Sequence, residues 1–420
     1  MDRRWLIIAD DLTGAADSAI AFAKRRLSAR VTWGEPRGDE PADTLALAFD
    51  ADTRSLPATA AARRHANILQ RLSAGRPHVF KKIDSTLRGH PAEEIGALLD
   101  VLRADDARLR AVFTPAFPAG GRTTRGGRVF VHGRPLEHTE FWGRSRPADH
   151  ADVATLLESA GLQPRHVPLE TVRGDAARLR ATFDAAPGAI CLCDAETERD
   201  LDAIAAAALD GTATFFAGSA GLAHSLAGHA SRDAVQRVPA TAHPASLRGA
   251  LFLIGSQAGP SRVALESMND LPGLRRVSVA ADDVRGERGA AASSLAPPDL
   301  AALERDLAEG IDVVVDLLPD PARAPSAQVV DALARRLAPL APSASALMAT
   351  GGDTAAALLA RCGVRGLRLV DELEPGASLG LTLGDLSVPI VTKSGGFGDA
   401  GTLRRIAERL RFIRRTGTLA

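Results

Sequence analysis

The sequence predicts an α/β fold of two domains, each a mostly parallel sheet flanked by helices. Short apolar runs rich in β-branched residues alternate with helical segments of about 10–15 residues, the pattern of repeated strand–helix units. A chain of 420 residues is longer than one hydrophobic core usually serves. The polar stretch 231–249 contains two prolines and interrupts the alternation. It predicts a linker between domains at 1–230 and 250–420.

The composition is that of a soluble globular protein and argues against several classes of partner. Hydrophobic residues make up 45% of the chain and charged residues 24%, as in ordinary globular domains. The formal net charge is zero, so no basic surface predicts nucleic acid as a partner. No apolar run in the sequence is as long as the roughly 18 residues that a membrane span needs. The N-terminus predicts a short strand and not a secretory signal, so we expect a cytoplasmic protein.

Buried apolar runs predict the strands of the first domain, and segments with a helical period predict its helices. The predicted strands are 5–9, 45–49, 78–83, 110–113, 165–168, 189–193 and 212–217. The predicted helices are 15–25, 58–72, 91–102, 151–160, 174–185 and 196–209. A turn at Gly133 predicts a hairpin within 128–141.

The same alternation resumes in the second domain. Its predicted strands are 250–254, 276–279, 312–318, 346–350, 368–370 at an edge, and 389–392. Its predicted helices are 261–270, 300–307, 326–340 and one that follows the turn at 351–354. The segment 281–298 has no apolar period and is predicted to be a mobile loop.

Two aspartates, Asp10 and Asp11, directly follow the first predicted strand. One interpretation is that Asp11 or Thr13 caps the next helix. The other is a functional role for at least one carboxylate, because two adjacent carboxylates exceed what capping needs. Phosphatases of the haloacid dehalogenase type have two aspartates with one residue between them, D-x-D. Asp10 and Asp11 have no residue between them, so this class is excluded.

The stretch 81–90, KKIDSTLRGH, is the strongest candidate for a site in the first domain. It follows a predicted strand, and open α/β sheets bind ligands beyond the carboxyl ends of their strands. Its cations, carboxylate and hydroxyls suit a small, anionic, polyhydroxylated substrate. The alternative is a solvated turn capped by Asp84 or Ser85. Because side chains alternate along a strand, Lys82 is expected to face the ligand and Lys81 to be structural.

Three glycine-rich turns follow strands of the second domain: Gly255-Ser256, Gly351 to Thr354, and Lys393 to Gly398. Glycine lets the backbone approach a phosphate, and helix N-termini supply N–H donors. The turns do not match a P-loop, because the chain contains no G-x-x-x-x-G-K-[ST]. Turns from separate strands can converge on one crevice, so we predict a polyphosphate ligand with Lys393 and Gly395 among its contacts.

Several segments, in this order, mark a family resemblance: IIADDLTGAADSA, DTRSLP, KKIDSTLRGHPAEEI, PAFPAGGRTT, GRPLEHTEF, AGSAGLA, ATGGDTAAALL, LEPGASLG and TKSGGFGDAGTL. Over nearly its whole length the chain resembles the four-carbon acid sugar kinase family. The resemblance implies an N-terminal domain that binds a four-carbon sugar acid and a C-terminal domain that binds ATP with Mg²⁺. It also implies transfer of the γ-phosphoryl group to the 4-hydroxyl, with the active site in the inter-domain cleft.

The resemblance also implies roles for individual residues. The implied substrate contacts are Asp11, Arg54, Lys82, Ile83, Asp84 and Ser85. The implied nucleotide contacts are Ser256, Gly351, Gly352, Asp353, Thr354 and Gly396. Arg88 is expected either to contact the substrate or to brace its own loop. We expect Asp11 or Asp84 to accept the proton of the substrate hydroxyl, and no metal ligand follows from the sequence.

The DSTLRG form is similar to that of the D-threonate and D-erythronate kinases. D-threonate is therefore the expected substrate and D-erythronate the next, in carbohydrate acid catabolism. The alternatives are a 3-oxo-tetronate kinase and a non-catalytic protein that binds a sugar acid and a nucleotide. A dinucleotide-dependent dehydrogenase needs a G-x-G-x-x-G turn and an acid about 20 residues on, and this combination is not met. A sugar acid and ATP are the expected partners, and a homodimer is the expected assembly.

Overall fold

The computed structural model describes residues 4–36, 41, 44–76, 78–142, 151–210, 214–232, 242–285, 295, 297–319 and 327–419. The chain divides into two compact units, Met1–Arg237 and Val238–Ala420. The division lies within the stretch 231–249. Each unit has its own hydrophobic core.

The N-terminal unit is built from alternating strands and helices. In chain order, the described strands are β1 (Trp5–Ala9), β2 (Ala29–Trp33), β3 (Ala46–Asp50), β4 (His78–Lys82), β5 (Arg110–Thr114), β6 (Arg122–Arg125), β7 (Arg128–Val131), β8 (Arg134–Pro135), β9 (Pro164–Val167), β10 (Ile190–Cys193) and β11 (Thr214–Gly218). The described helices are α1 (Leu12–Ala23), α2 (Ala58–Leu72), α3 (Pro91–Arg103), α4 (Val153–Ser159), α5 (Leu169–Val172), α6 (Ala176–Asp184), α7 (Glu198–Leu209) and α8 (Ala220–Arg232).

Its main sheet has the strand order β2-β3-β1-β4-β11-β5-β10-β9. Every neighbouring pair in this order is parallel. The strands β6, β7 and β8 form a small antiparallel sheet. The predicted hairpin is confirmed there, because His132 and Gly133 both have positive φ, of 48° and 78°, and join β7 to β8. Two such residues are what a tight two-residue hairpin turn requires.

The core explains why the strand ends carry the polar residues. Leu6 and Ile8 of β1 and Phe49 of β3 belong to a cluster that includes apolar residues of α2 and α3. Burying each such side chain contributes about 1.5–3 kcal/mol. Side chains alternate along a strand, so the intervening positions face the other side, where α1 packs against β1 and β3. Beyond the last core layer, the carboxyl ends of β3, β1 and β4 lie side by side.

The C-terminal unit combines parallel and antiparallel strands. Its described strands are β12 (Leu251–Ile254), β13 (Leu274–Val279), β14 (Asp312–Leu317), β15 (Leu347–Thr350), β16 (Val364–Glu374), β17 (Ala377–Gly384) and β18 (Pro389–Lys393). Its described helices are α9 (Gly259–Glu266), α10 (Ala281–Arg285), α11 (Pro297–Ala308), α12 (Ala327–Leu337), α13 (Gly352–Arg361) and α14 (Thr402–Thr416). The order is β13-β14-β12-β15-β18-β17-β16. The pairs are parallel from β13 to β18 and antiparallel from β18 to β16.

The predicted α/β class and the mostly parallel sheets are confirmed, with several local corrections. The strand β2 is absent from the predicted elements. The predicted short edge strand 368–370 is wrong, because β16 runs for 11 residues and forms a hairpin with β17 through Pro375-Gly376. Gly376 has φ of 80°, as the second central residue of a Pro-Gly turn needs. The predicted loop 281–298 begins as α10, while 286–294 and 296 lie outside the described residues.

Candidate active site

Three neighbouring strands of the N-terminal unit end at the same level. Ala9 of β1 pairs in register with Asp50 of β3 and with Lys82 of β4. The predicted substrate contacts lie at these ends: Lys82 is the last residue of β4, and the others lie in the loops after β1, β3 and β4. The fold therefore brings together residues that are far apart in the sequence.

Arg54 links the two adjacent aspartates after β1. Its Nε donates to Asp10 Oδ2 at 2.8 Å and its Nη2 donates to Asp10 Oδ1 at 3.1 Å. Its Nη1 donates to Asp11 Oδ2 at 2.6 Å. Asp11 also caps α1, since its Oδ1 accepts from the Gly14 N–H at 2.8 Å. The capping interpretation is confirmed for Asp11, and α1 begins at Leu12 and not at residue 15.

The charges of this cluster are strongly coupled. Burial on its own would raise the pKa of Asp10, but Arg54, followed by Lys81 and Lys82, lowers this pKa to about 2. Burial would lower the pKa of Arg54, but Asp10, Asp11 and Asp84 raise it well above its ordinary value. Asp10 and Arg54 are therefore charged at any physiological pH.

Asp84 organises the loop after β4. Its Oδ2 accepts from the Thr86 hydroxyl and, at 3.1 Å, from the Thr86 N–H. Arg88 donates Nε to Oδ2 at 3.0 Å and Nη2 to Oδ1 at 2.7 Å. Burial opposes ionisation of Asp84, but Arg88 and then Arg54 hold its pKa well below the usual range. Arg88 thus braces the loop, and its side chain is 48% exposed.

The two lysines of β4 face opposite sides of the sheet, as predicted. The buried Lys81 ammonium lies 2.8 Å from Glu94 Oε2 and 2.9 Å from His65 Nε2. Lys82 lies on the other face, and its Nζ donates to the Ile83 carbonyl oxygen at 2.8 Å. Within the described residues this is its one hydrogen bond, although Lys82 is only 6% exposed. Its ammonium therefore keeps N–H groups for a ligand.

Two other predicted substrate contacts, Ile83 and Ser85, differ in the groups that they could present to a ligand. The Ile83 side chain is 1% exposed and packs in the hydrophobic core, so a ligand contact from this residue would come from its backbone. Ser85 is 6% exposed, and its hydroxyl has no hydrogen-bond partner among the residues that the structure describes. The Ser85 hydroxyl is therefore available as a donor and an acceptor.

Four further residues form this site or support it but were not among the site residues predicted from the sequence: Asp10, Asp50, Thr86 and Glu94. The adjacent carboxylates in the sequence were a signal for Asp10. Thr86 follows a short-range turn pattern, since hydroxyls next to an aspartate often bond it. Asp50 and Glu94 are brought to this region by strand pairing and tertiary packing, for which the sequence holds no local signal.

The three glycine-rich turns of the C-terminal unit do converge. They follow β12, β15 and β18, which are parallel neighbours in register. A Cβ on Gly395 would lie 2.1 Å from Ser256 Oγ, and a Cβ on Gly255 would lie 2.1 Å from Thr354 Oγ1. These glycines are needed because the turns approach each other closely.

The turn at the start of α13 is suited to an anion. Gly351 is its N-cap with φ of 89°, and no side chain caps the helix. Gly352 and Asp353 form its first turn, so backbone N–H groups and the positive end of the helix dipole are present there. Lys393 is 1% exposed, and its Nζ donates to the carbonyl oxygens of Ser394 at 3.1 Å and Phe397 at 2.7 Å. Lys393 thus supports the turn from within.

No group of three or more His, Cys, Asp or Glu side chains in the described ranges could by itself hold a metal ion. Likewise, no helix in the part of the chain that the structure describes is long and apolar enough to cross a membrane.

Two family models match the two parts of the chain. A family model described as a sugar-binding N-terminal domain matches residues 5–226, and one described as a nucleotide-binding C-terminal domain matches 312–403. The chain is 37% identical to a D-threonate kinase from Cupriavidus necator over 95% of this chain and 96% of that protein. It is 32% identical to a 3-oxo-tetronate kinase from Methylobacterium radiotolerans over 96% and 98%.

A solved structure of a Haemophilus influenzae protein has the same fold. The TM-score is 0.73 at 21% identity, with 96% of this chain and 99% of that chain covered. The family model of the N-terminal domain spans more than half of the chain, and the relatives align over nearly all of it. The chain therefore belongs to the four-carbon acid sugar kinase family and is a phosphotransferase that acts on a four-carbon acid sugar.

Proposed function

We propose that the protein uses ATP to phosphorylate the 4-hydroxyl of D-threonate, with D-erythronate as the next candidate. The identity to a D-threonate kinase, 37%, exceeds the 32% to a 3-oxo-tetronate kinase, and both alignments are nearly full length. The observation that carries the proposal is the polar cluster at the ends of β3, β1 and β4. It combines buried cations, carboxylates and an available hydroxyl, which is the chemistry that a sugar acid requires.

Individual groups of the cluster match the parts of such a substrate. The Lys82 ammonium can donate to the substrate carboxylate, and the Arg54 guanidinium lies in the same cluster. The Ser85 hydroxyl can exchange hydrogen bonds with a substrate hydroxyl. The Asp11 carboxylate can accept from another hydroxyl while Arg54 and Gly14 hold it in place.

We further propose that the glycine-rich turns of the C-terminal unit bind the phosphates of ATP. The uncapped start of α13 and the close approach of Gly395 to Ser256 support this assignment. Mg²⁺ would enter with ATP and would supply positive charge to its phosphates. Because the hydroxyl and the γ-phosphate must come within bonding distance, the proposed reaction requires both ligands to share one site.

The test is ADP release measured with D-threonate, L-threonate, D-erythronate and 3-oxo-tetronate at equal concentration. We expect the highest kcat/KM with D-threonate, and we expect the phosphorylated product to carry the ester on its 4-oxygen. Highest kcat/KM with 3-oxo-tetronate would assign the chain to the other activity. Binding of a tetronate without ADP release from any of them would favour the non-catalytic alternative and contradict the kinase assignment.

A further inference from the structure

Asp50 lies beside the residues already assigned but has a different environment. It is the last residue of β3 and is 3% exposed. Asp50 and Lys82 both pair in register with Ala9, so they flank β1 at the same level. Phe49 points into the core with α2 and α3, and alternation therefore directs Asp50 to the α1 side of the sheet.

The Asp50 carboxyl is not paired with a basic side chain in the part of the chain that the structure describes. Its Oδ1 accepts from the Asp52 N–H at 2.8 Å. Among the described residues, its Oδ2 has no hydrogen-bond partner, and no basic side chain forms an ion pair with either oxygen. Asp10 and Asp11 each accept from Arg54, by contrast.

The electrostatic consequence follows from the groups around it. Burial, and then the negative charge of Asp11, raise the pKa of Asp50 well above its ordinary value. The hydrogen bond from the Asp52 N–H opposes this rise, and the charges of Asp52 and Asp10 make smaller contributions that raise the pKa. The helix α1, which packs against β3, also carries the buried acid Asp17. A carboxyl whose pKa is raised toward the working pH is the better general base.

The other carboxylates of the cluster are less suited to take a proton. Asp84 has both oxygens bonded to Arg88, and its pKa is held well below the usual range. Asp10 has both oxygens bonded to Arg54, and its pKa is about 2. Asp11 has one oxygen on the Gly14 N–H and the other on Thr13 and Arg54.

We propose that Asp50 is the group that accepts the proton of the substrate hydroxyl during phosphoryl transfer, an inference that rests on the proposed kinase function. The hydroxyl O–H bond breaks and its proton moves to Asp50 Oδ2. The hydroxyl oxygen uses its electron pair to form the new O–P bond. The bond between the γ-phosphorus and the β,γ-bridging oxygen breaks, and ADP leaves with that electron pair. Asp50 then releases the proton to water.

The experiment measures kcat from pH 5 to pH 9 for the wild type and Asp50→Asn, with saturating ATP and the tetronate that the wild type turns over. Asn keeps an oxygen for the Asp52 N–H but cannot accept a proton. We expect kcat to fall about 10²–10⁴-fold, the usual contribution of a general base, with little change in KM for the sugar acid. Wild-type kcat should fall toward acid pH as Asp50 is protonated, and this acid limb should disappear in Asp50→Asn.

Asp52→Asn is the matched control, because it makes the same substitution two residues further along the chain. Asp52 is exposed and has φ of 49°, a conformation that asparagine also adopts. It should keep kcat and the acid limb. A fall of less than about tenfold in Asp50→Asn, or a fall with the acid limb intact, would overturn the proposal.

The outcomes separate this proposal from the kinase assignment. A wild type that turns over no tetronate contradicts the proposed function, whereas an active wild type beside an active Asp50→Asn contradicts only the role of Asp50. If Asp50→Asn does not fold, Asp50→Glu replaces it. The longer acid keeps a proton acceptor in a poorer position, so kcat should fall and the acid limb should persist at a shifted pH. An acid limb at the wild-type pH would overturn the proposal.

Discussion

Arg54 donates Nε to Asp10 Oδ2 at 2.8 Å and Nη2 to Asp10 Oδ1 at 3.1 Å, so both carboxylate oxygens are engaged. The two residues are 44 positions apart and join the end of β1 to the loop after β3. Asp10 is 2% exposed. The planar guanidinium matches a carboxylate in a way that the lysine ammonium cannot. The pair therefore fixes the direction of the third nitrogen of Arg54.

Arg54→Lys tests this pair. One Asp10 oxygen loses its donor, so the free energy of unfolding of the N-terminal unit should fall by about 1–3 kcal/mol. The value of kcat/KM for the sugar acid should fall about 10²-fold, because the cation no longer has a fixed direction. All three tryptophans, Trp5, Trp33 and Trp142, belong to this unit. Tryptophan fluorescence during urea unfolding therefore reports its stability.

Arg173→Lys is the matched control in the same unit. Arg173 also makes a two-pronged contact, with Nε to Asp200 Oδ1 at 2.9 Å and Nη2 to Asp200 Oδ2 at 2.9 Å. Neither residue belongs to the candidate site. We expect Arg173→Lys to leave kcat/KM unchanged, and equal losses of kcat/KM in both variants would show that the Arg54 effect is not specific to the site.

Gly89→Ala tests how closely the loop after β4 approaches Asp10. Gly89 has φ of 80°, and a Cβ there would lie 3.1 Å from Asp10 Oδ2. An alanine in this conformation costs about 1–2 kcal/mol, and the carboxylate must also move. Gly34 has φ of 83° with nothing within 4 Å of its Cβ position, so Gly34→Ala has the backbone cost alone. We expect both variants to be destabilised and only Gly89→Ala to lose about tenfold in kcat/KM. Equal kcat/KM values would contradict the contact.

Local sequence patterns were enough where an element's own residues determine it. The helix α2 occupies the predicted residues 58–72, because its buried positions recur at helical spacing. The strand β2, ARVTW, is short and only partly buried, and its pairing with β3 stabilises it. The strands β16 and β17 contain acidic and glycine residues, so their composition did not predict the length of the hairpin. Pairing between the two strands stabilises it.

Local sequence patterns had the same limit at the candidate site. The loop residues were predicted at the correct strand ends, since each follows an apolar run that stops abruptly. The sequence did not indicate that Arg54 would bond both Asp10 and Asp11, or that Arg88 would bond Asp84. These pairs depend on tertiary geometry. The inward direction of Lys81 could be predicted, because strand alternation is local.

Gly395→Ala tests the nucleotide contacts proposed for the C-terminal unit. A Cβ at this position would lie 2.1 Å from Ser256 Oγ, so the turns after β12 and β18 must separate. We expect KM for ATP to rise about tenfold, equivalent to about 1.4 kcal/mol of lost binding. The KM for the sugar acid serves as the internal control and should stay constant. A rise in the sugar-acid KM with no change for ATP would contradict the assignment.

The buried ion pair beneath the site predicts a pH-dependent stability. Lys81 can only donate, so His65 Nε2 accepts its hydrogen bond at 2.9 Å, and His65 Nδ1 donates to the Ala61 carbonyl oxygen at 3.1 Å. The ring is therefore neutral. Burial, and then the positive charge of Lys81, lower the pKa of His65 to about 4.

The sign of the effect follows from this lowered pKa. Between pH 6.5 and pH 4 the unfolded chain protonates His65 and the folded chain does not, so acid favours unfolding. Lowering the pH from 7 to 5 should cost about 2 kcal/mol through this residue alone. His65→Gln keeps an acceptor for Lys81 and does not titrate, so its unfolding free energy should fall less over this interval. Urea unfolding at pH 7, 6 and 5, followed by tryptophan fluorescence, gives both slopes. Equal slopes would mean that His65 has the same pKa in the folded and the unfolded chain, and would contradict its role as the neutral acceptor of the Lys81 hydrogen bond.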